Sequence, residues 1–267
     1  MNSKNFIEQK VKEIKDKVEN EKALLALSGG VDSSVVAIIV HKALDKNLIS
    51  YFIDDYFRKK EEDAFVRDTF ARLGIEVQCC DIQEKMLAAL AGVSDNSEKR
   101  PIFKDVFYGT FGELVKQSSA RYLLQGTIKA DLKMYEKGQL QHNVGIPFQD
   151  FGIEQAVEPL TELYKPGVRE VAKLLGLPKE ISERATFPGP GLLIRCLGEV
   201  KREKVDLIRE GLAIAEEELD EYDPFQVVVA VSSDLVCSMI DRAMPDKYML
   251  IVRAVKSKDQ FIEPYQN

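Results

Sequence analysis

Short apolar runs alternate along the chain with longer stretches in which apolar side chains recur at helical spacing. Runs with the length of buried strands lie at 24–27, 48–53, 75–80 and 121–124. Apolar residues at helical spacing predict a helix at 6–20, and further helices are predicted at 35–44, 61–73, 84–90 and 104–116. Because strand and helix alternate, the pattern predicts a doubly wound parallel sheet of the α/β class.

The remainder of the chain has a different pattern. A stretch at 129–152 is punctuated by glycine and has little apolar period, so we predict an irregular lid over a binding site. A rigid Phe-Pro-Gly-Pro-Gly segment follows at 187–191. The other elements predicted there are helices at 168–175 and 201–222 and strands at 225–231 and 248–255. We therefore expect a large domain at 1–185 and a small α+β domain at 186–267.

Polar and glycine residues directly follow three of the predicted strands. They are the tripeptide at 28–30, the aspartate pair at 54–55 and the Gln-Gly-Thr tripeptide at 125–127. Ligands of open α/β sheets bind beyond the carboxyl ends of the strands. We therefore expect these three segments to converge on one edge of the sheet and to form a binding site there.

The segment at 28–34 reads Ser-Gly-Gly-Val-Asp-Ser-Ser and joins the first strand to the next helix. Two glycines let the backbone approach an anion, and the following helix directs free N–H groups and its positive dipole end at the loop. Three hydroxyls add donors, and Asp32 suits the Mg²⁺ that accompanies a phosphate. The segment predicts Mg-pyrophosphate binding; the alternative is an ordinary strand-to-helix turn in which Ser and Asp cap the helix.

Composition narrows the class of protein. The 267 residues are 45% hydrophobic and 30% charged, which allows a sizeable core and argues against disorder. The net charge of −7 argues against general nucleic-acid binding. Four cysteines without a C-x-x-C pair suit a reducing compartment, and no apolar stretch reaches membrane-spanning length. We expect a cytoplasmic protein that does not bind membranes.

The segment at 28–34 also matches the signature of the PP-loop ATP pyrophosphatases, and within that class the chain resembles the ATP-pyrophosphatase part of GMP synthetase. Further motifs keep the order that they have in that family. They are Arg-Lys-Lys-Glu at 58–61, Gln-Gly-Thr-Ile at 125–128, His-Asn-Val-Gly at 142–145, Val-Glu-Pro-Leu at 157–160, Phe-Pro-Gly-Pro-Gly-Leu at 187–192 and Leu-Gly-Glu-Val at 197–200.

The resemblance implies a site for ATP and Mg²⁺. The residues that would hold pyrophosphate are Ser28, Gly29, Gly30, Asp32, Ser33 and Ser34, with Asp32 also the metal ligand. Leu27 and Ile53 would flank the adenine. The ribose and α-phosphate would lie beside Gly126 and Thr127, and Asp131 takes the place of the acidic residue that follows Gly-Thr in the family.

The resemblance further implies a ligase of purine biosynthesis. AMP would be placed on a carbonyl oxygen of the acceptor, pyrophosphate would leave, and ammonia would then displace AMP. The acceptor would be xanthosine monophosphate (XMP) or another purine-like or carboxylate substrate. Asp32 and Ser33 are the catalytic candidates on the ATP side, and His142 and Arg195 are candidates for contact with phosphate or acceptor. The family has a two-subunit form, so we expect a separate glutaminase as the ammonia donor, and we expect a homodimer.

The chain departs from the family pattern in ways that leave alternatives open. The family lysine of the lid is replaced by Gln139, and the C-terminal domain is divergent and lacks the family's tail. One alternative is an ATP-dependent sulfurtransferase that thiolates its acceptor through Cys196, for which the competing explanation is a small buried apolar residue. A second alternative is a nucleotide-binding regulator without catalysis.

Overall fold

The structure is a computed structural model that describes residues 2–137, 148–185, 187–222, 224–236 and 247–256. The chain forms two compact units, each assembled from separate segments. The first unit comprises Met1–Asp54, Glu62–Asp81 and Tyr108–Arg184, and the second comprises Asp55–Glu61, Ile82–Phe107 and Ala185–Asn267. The division into domains at 1–185 and 186–267 stays a prediction.

A five-stranded sheet forms the centre of the first unit. Its strands are β1 (Ala23–Leu27), β2 (Leu48–Asp54), β3 (Val77–Asp81), β4 (Tyr122–Leu124) and β5 (Gln155–Val157). All neighbours pair in parallel, in the order β3-β2-β1-β4-β5. Strand β1 is almost wholly apolar and buried, as expected for the central strand of a sheet that is covered on both faces. The predicted α/β class is confirmed.

Helices connect and cover these strands. They are α1 (Ser3–Val18), α2 (Val31–Leu44), α3 (Glu62–Arg72), α4 (Gln83–Ala89), α5 (Asn96–Ser118), α6 (Lys129–Glu136), α7 (Lys165–Leu174) and α8 (Lys179–Ser182). Helix α2 packs against α1 and α7, and its residues from Val35 to Val40 are all buried. Because α2 is apolar on every side, it forms the middle of a helical layer over the sheet.

The strand order creates a switch point between β1 and β4. From β1 the chain proceeds outward to β2 and β3, and it then returns through α5 to β4 on the other side of β1. Right-handed crossovers therefore place α2 and α3 on one face of the sheet and α5 on the other. In open α/β sheets the ligand crevice lies at such a switch point, beyond the carboxyl ends of the strands, which here are those of β1 and β4. The sequence places Ser28 and Gln125 at the start of these two loops.

Several elements differ from the predicted ones. Helix α2 begins at Val31, so Asp32, Ser33 and Ser34 lie in its first turn rather than in a loop. Part of the predicted irregular lid is the regular helix α6, whose first turn is stabilised by the Asp131 carboxylate. The rest of the predicted lid at 138–147 lies outside the described residues. Strand β5 ends at Val157, directly before the Glu-Pro-Leu residues at 158–160, where the sequence predicts the end of a strand.

The second unit contains helix α9 (Arg202–Glu218) and a two-stranded antiparallel sheet of β6 (Gln226–Val236) and β7 (Lys247–Val255). Alternate residues Val227, Val229 and Val231 are buried, and α9 packs against both strands. This arrangement confirms that a small antiparallel sheet accompanies the parallel one. None of the described helices has the length and hydropathy needed to span a bilayer.

Candidate active site

The loop after β1 is folded around its own hydroxyl groups. Gly30 is the N-cap of α2, and its carbonyl accepts hydrogen bonds from Ser34 Oγ at 2.8 Å and Ser33 Oγ at 3.2 Å. Ser28 Oγ lies 3.0 Å from Ser33 Oγ. Ser34 is fully buried, whereas Ser28 is exposed. The hydroxyls of Ser33 and Ser34 thus brace the turn, while the Ser28 hydroxyl stands at its open side.

An ion pair links the start of α2 to the start of α7. Lys165 Nζ lies 2.5 Å from Asp32 Oδ2, and both side chains are half-buried. Lys165 is the first residue of α7, and Asp32 is in the first turn of α2. A cation and a carboxylate are therefore held side by side at the carboxyl edge of the sheet, where each can meet a group of opposite charge on a ligand.

Gly126 brings the loop after β4 against the first turn of α2. A side chain at this position would lie 3.0 Å from the carbonyl carbon and Cβ of Asp32 and from the backbone N of Ser33. Only glycine fits so close to another backbone without displacing it. The two loops of the switch point therefore meet at Gly126 and Asp32, as the sequence predicts for the strand ends.

Two carboxylates fix the chain that follows Gly126. The hydroxyl of Thr127, which is fully buried, donates a hydrogen bond of 2.6 Å to Glu158 Oε1, just after β5. Asp131 Oδ2 accepts a hydrogen bond of 3.0 Å from the backbone N–H of Ile128. These contacts account for Thr127 and Asp131 as supports of the loop. The direct contacts with nucleotide predicted for them stay predictions.

The residues predicted to flank adenine lie in the core. Leu27 ends β1 and Ile53 lies in β2, and both side chains are almost fully buried. In the sheet, Leu27 is paired with Phe52, the neighbour of Ile53. Leu27 and Ile53 therefore belong to adjacent strand ends.

In the second unit, the Pro-Gly segment docks on the segment that carries the Arg-Lys-Lys motif. The backbone N of Leu192 donates a hydrogen bond of 2.8 Å to the carbonyl of Phe57. A side chain at Gly191, whose φ is +60°, would come within 2.0 Å of that carbonyl oxygen. Arg58 is held nearby by the fully buried Asp55 carboxylate. Two motifs that are far apart in the chain are thus brought together.

Arg195 is a buried cation in the same unit. Its guanidinium lies over the Phe187 ring, 5.0 Å from the centroid, and the residue is 4% exposed. Burial lowers the pKa of Arg195, against an opposing effect of the Glu216 carboxylate. Among the described residues, Nη1 of Arg195 has no hydrogen-bond partner. A buried guanidinium in this state is suited to an anionic or carbonyl group supplied by a ligand.

Cys196 is not placed as a nucleophile would be. The residue has no exposed surface, and its thiol contacts the Glu199 carbonyl at 3.8 Å. Burial raises the pKa of this thiol, whereas reactive cysteines are accessible and have a lowered pKa. The arrangement matches the explanation of Cys196 as a small core residue. His142 lies outside the described residues.

Comparison with known proteins decides the family. The chain is 42% identical over 260 residues to a subunit of the glutamine-hydrolysing GMP synthase of Archaeoglobus fulgidus, an alignment covering 97% of this chain and 85% of that protein. The corresponding subunits of Pyrococcus abyssi and Methanothermobacter thermautotrophicus are 42% and 40% identical over the same shares. The chain belongs to this family of GMP synthase subunits. This confirms the predicted membership of the PP-loop ATP pyrophosphatases and the predicted class of GMP synthase-like ligases.

Two further comparisons support the fold of this GMP synthase relative. A profile of the NAD synthase family matches residues 1–106. An NH3-dependent NAD synthetase from Campylobacter jejuni superposes with a TM-score of 0.55 at 18% identity, over 83% of this chain and 88% of that one. An NMN synthetase from Francisella tularensis gives 0.56 at 19%, over 79% and 87%. At such identities these structures show a shared fold alone.

Four charged residues that contact these loops were not among the predicted site residues. They are Glu62, Glu158, Lys165 and Arg184, each of which contacts the loop after β1, the first turn of α2 or the loop after β4. Their distance along the chain from 28–34 hides these contacts. No local pattern could have indicated them, because it is the pairing of β5 beside β4 that brings residues after position 157 to the same edge.

Proposed function

We propose that this chain binds Mg-ATP in the crevice between the loops after β1 and β4 and transfers AMP to a carbonyl oxygen of XMP. The single observation that carries the proposal is the meeting of Gly126 with the first turn of α2, beside the Asp32–Lys165 pair. It gathers backbone N–H groups, hydroxyls, a cation and a carboxylate at a switch point, in a chain of the GMP synthase subunit family.

The loop residues are assigned to the triphosphate. The N–H groups at the start of α2 and the Ser28 hydroxyl would donate to the β and γ phosphates, and Lys165 would offset their charge. The Ser33 hydroxyl would reorient from Gly30 and Ser28 toward a phosphate oxygen. Leu27 and Ile53 would contact adenine through the edges of their side chains. Gly126 would let the loop after β4 lie against the first turn of α2, beside the α-phosphate.

The donor set fits one Mg²⁺ that arrives with the nucleotide. Asp32 offers a half-buried carboxylate, the hard oxygen ligand that Mg²⁺ prefers, together with phosphate oxygens. Groups of three or more His, Cys, Asp or Glu side chains able to hold a metal are absent among the described residues. When bound, Mg²⁺ would neutralise charge on the leaving pyrophosphate.

The acceptor is assigned to the second unit. The acceptor oxygen would attack the α-phosphorus, the bond to the bridging oxygen would break, and pyrophosphate would leave with that electron pair. Ammonia would then add to the activated carbon and expel AMP. The Arg195 guanidinium beside Phe187 provides a cation for an anionic or carbonyl group of the acceptor, and His142 stays a candidate for the same task.

The ammonia is assigned to a partner. The relatives are named as one subunit of a glutamine-hydrolysing GMP synthase, so we propose that a separate glutaminase subunit supplies ammonia to this chain. The homodimer and the cytoplasmic location also stay predictions. Glutamine alone should not replace ammonium in an assay of this chain, whereas glutamine with the glutaminase subunit should.

The proposal is tested by the release of pyrophosphate from Mg-ATP in the presence of ammonium, with and without XMP, and by the detection of GMP. We expect release that depends on XMP and one GMP for each pyrophosphate. The Asp32→Asn variant should release none. Mg-ATP binding without pyrophosphate release under any of these conditions would instead favour the nucleotide-binding regulator.

A further inference from the structure

A buried ion pair contacts the loop after β1 and holds it in place. Arg184 Nη1 lies 2.7 Å from Glu62 Oε1 and also donates a hydrogen bond of 2.8 Å to the carbonyl oxygen of Gly29. The side chains of Glu62 and Arg184 are only 3% and 12% exposed. Removing one partner of such a pair leaves a buried charge uncompensated, which is strongly unfavourable. The pair is therefore a fixed point against which the loop is held.

The Gly29 residue leaves no space between itself and the pair. Its φ is +71°, and a Cβ at this position would lie 2.7 Å from Glu62 Oε1 and 2.9 Å from Arg184 Nη1. The absence of a side chain thus lets the guanidinium reach the backbone carbonyl directly. The contact requires the glycine as much as it requires the two charged residues.

The hydrogen bond from Arg184 to the Gly29 carbonyl also fixes the direction of the Gly30 N–H group. The Gly29 carbonyl and the Gly30 N–H belong to one trans peptide, so they point in opposite directions. Holding the carbonyl on Arg184 therefore turns the Gly30 N–H away from the ion pair. Within the described part of the chain, this N–H makes one long contact, 3.4 Å, with Ser28 Oγ. It is thus available to an anion bound in the loop.

Both members of the pair adjoin places where the chain passes between the two units. Glu62 directly follows the segment Asp55–Glu61, which belongs to the second unit. Arg184 directly precedes Ala185, where the second unit resumes. The first of these segments carries Arg58, and the second leads to the Pro-Gly motif at 187–192. The loop is therefore held by two residues that directly adjoin segments of the second unit, the unit to which the acceptor is assigned.

We propose that Glu62 and Arg184 are positioning residues that orient the Gly29–Gly30 peptide for the pyrophosphate of ATP and couple ATP binding to acceptor binding. The inference rests on the proposed function for the identity of the two ligands. An acceptor that orders the segments next to Glu62 and Arg184 restrains the pair, and the pair restrains the loop. By linkage, the acceptor then tightens ATP binding by the same factor by which ATP tightens acceptor binding.

The test is equilibrium binding of the Mg²⁺ complex of α,β-methylene ATP, an analogue that cannot release pyrophosphate, with and without XMP. In the wild type, XMP should lower the Kd by about five-fold or more. In the isosteric Glu62→Gln variant and in Arg184→Gln, the Kd should rise by about ten-fold. The factor by which XMP lowers the Kd should fall toward one in both variants. Arg184→Lys, which keeps a cation, should retain part of both effects.

A matched control is Asp63→Asn on the same helix, which removes the surface pair with Arg67. It should bind the analogue and respond to XMP like the wild type. Thermal unfolding of each variant separates the outcomes, because a purely structural role would lower Tm and leave Kd and the XMP effect unchanged. That result, or a wild type whose Kd is insensitive to XMP, overturns the inference. A wild type that forms no GMP overturns the proposed function instead.

Discussion

Lys165 Nζ and Asp32 Oδ2 lie 2.5 Å apart, although the two residues are 133 positions apart in the chain. Each belongs to the first turn of a helix, and the two helices begin at the same edge of the sheet. Before ligands bind, each side chain neutralises the other. With Mg-ATP present, the proposed function assigns the carboxylate to the metal and the ammonium to a phosphate. Each charged group would then exchange its partner in the pair for a group of the ligand.

Replacing Lys165 by Met should weaken ATP binding while leaving the fold intact. The loss of a charge-assisted contact with phosphate should raise the KM for ATP by about ten- to hundred-fold. The assay is pyrophosphate release at varied ATP. Lys173→Met on the same helix is the control, since Lys173 is an exposed residue paired with Glu183, and this variant should keep the wild-type KM. Equal KM values for both variants would count against the role of Lys165.

Replacing Gly126 by Ala should separate the two loops of the crevice. The new Cβ would lie 3.0 Å from backbone atoms of Asp32 and Ser33, and these atoms belong to a helix turn that cannot shift alone. We expect loss of ATP binding by about ten-fold or more, measured by calorimetry. Gly109→Ala is the control, because a Cβ there meets no atom within 4 Å in helix α5 and should not reduce binding.

Replacing Gly191 by Ala should destabilise the second unit. The position combines a φ of +60° with a Cβ that would lie 2.0 Å from the Phe57 carbonyl oxygen. Gly176→Ala is a matched control, because Gly176 has a φ of +80° and a Cβ there meets nothing within 4 Å. The control should lower the free energy of unfolding by about 1 kcal/mol, the effect of backbone conformation alone.

Gly191→Ala should cost about 3 kcal/mol or more, because the Phe57 backbone must also move. Urea unfolding of both variants gives the comparison. A Gly191→Ala variant that is no less stable than Gly176→Ala would show that the contact with Phe57 is not a constraint.

Lys99 should make stability depend on pH. This lysine is fully buried and donates hydrogen bonds to the carbonyls of Cys196 and Gly198. Burial lowers its pKa below 10.5, so the folded state disfavours the charged form. Below the lowered pKa that penalty is present in full, and above 10.5 it is absent. Stability should therefore rise with pH between the lowered pKa and 10.5.

The measurement is the difference in the free energy of unfolding between the wild type and Lys99→Met at about pH 8 and about pH 10. The free energy of unfolding of the wild type should increase relative to that of Lys99→Met at the higher pH. The prediction would be contradicted if the stability of the wild type relative to Lys99→Met decreased as the pH was raised.

Replacing Cys196 by Ala should leave GMP formation within about two-fold of the wild type, apart from a loss of stability of about 1 kcal/mol. The thiol is buried, and burial raises its pKa, so it takes no part in the proposed reaction. Iodoacetamide should modify the exposed Cys79 in the folded protein before it modifies Cys196. Loss of turnover in a folded Cys196→Ala variant would restore the sulfurtransferase alternative.

Most of the parallel sheet could be predicted from local pattern. Strand β1 is an apolar run of five residues, β2 is rich in apolar residues, and the helix α2 between them is a long apolar stretch. Prediction was wrong where local signals compete. Asp32, Ser33 and Ser34 favour a turn by themselves, yet they lie in the first turn of α2. Polar and acidic side chains are favourable there because of the helix dipole and the free N–H groups. The regular helix α6 was missed because none of its eight residues is buried, so it carries no apolar face.

The sequence by itself determined the class of fold, the glycine loop after β1 and the family motifs, because each depends on residues that are close together in the chain. Only the tertiary structure decided which distant residues complete the loop. Lys165 reaches Asp32, Glu158 reaches Thr127, and Arg184 reaches Gly29 through the strand order and the packing of α7 on α2. Those contacts arise from pairing β4 and β5 beside β1, a long-range outcome of burying the whole sheet rather than of any local preference.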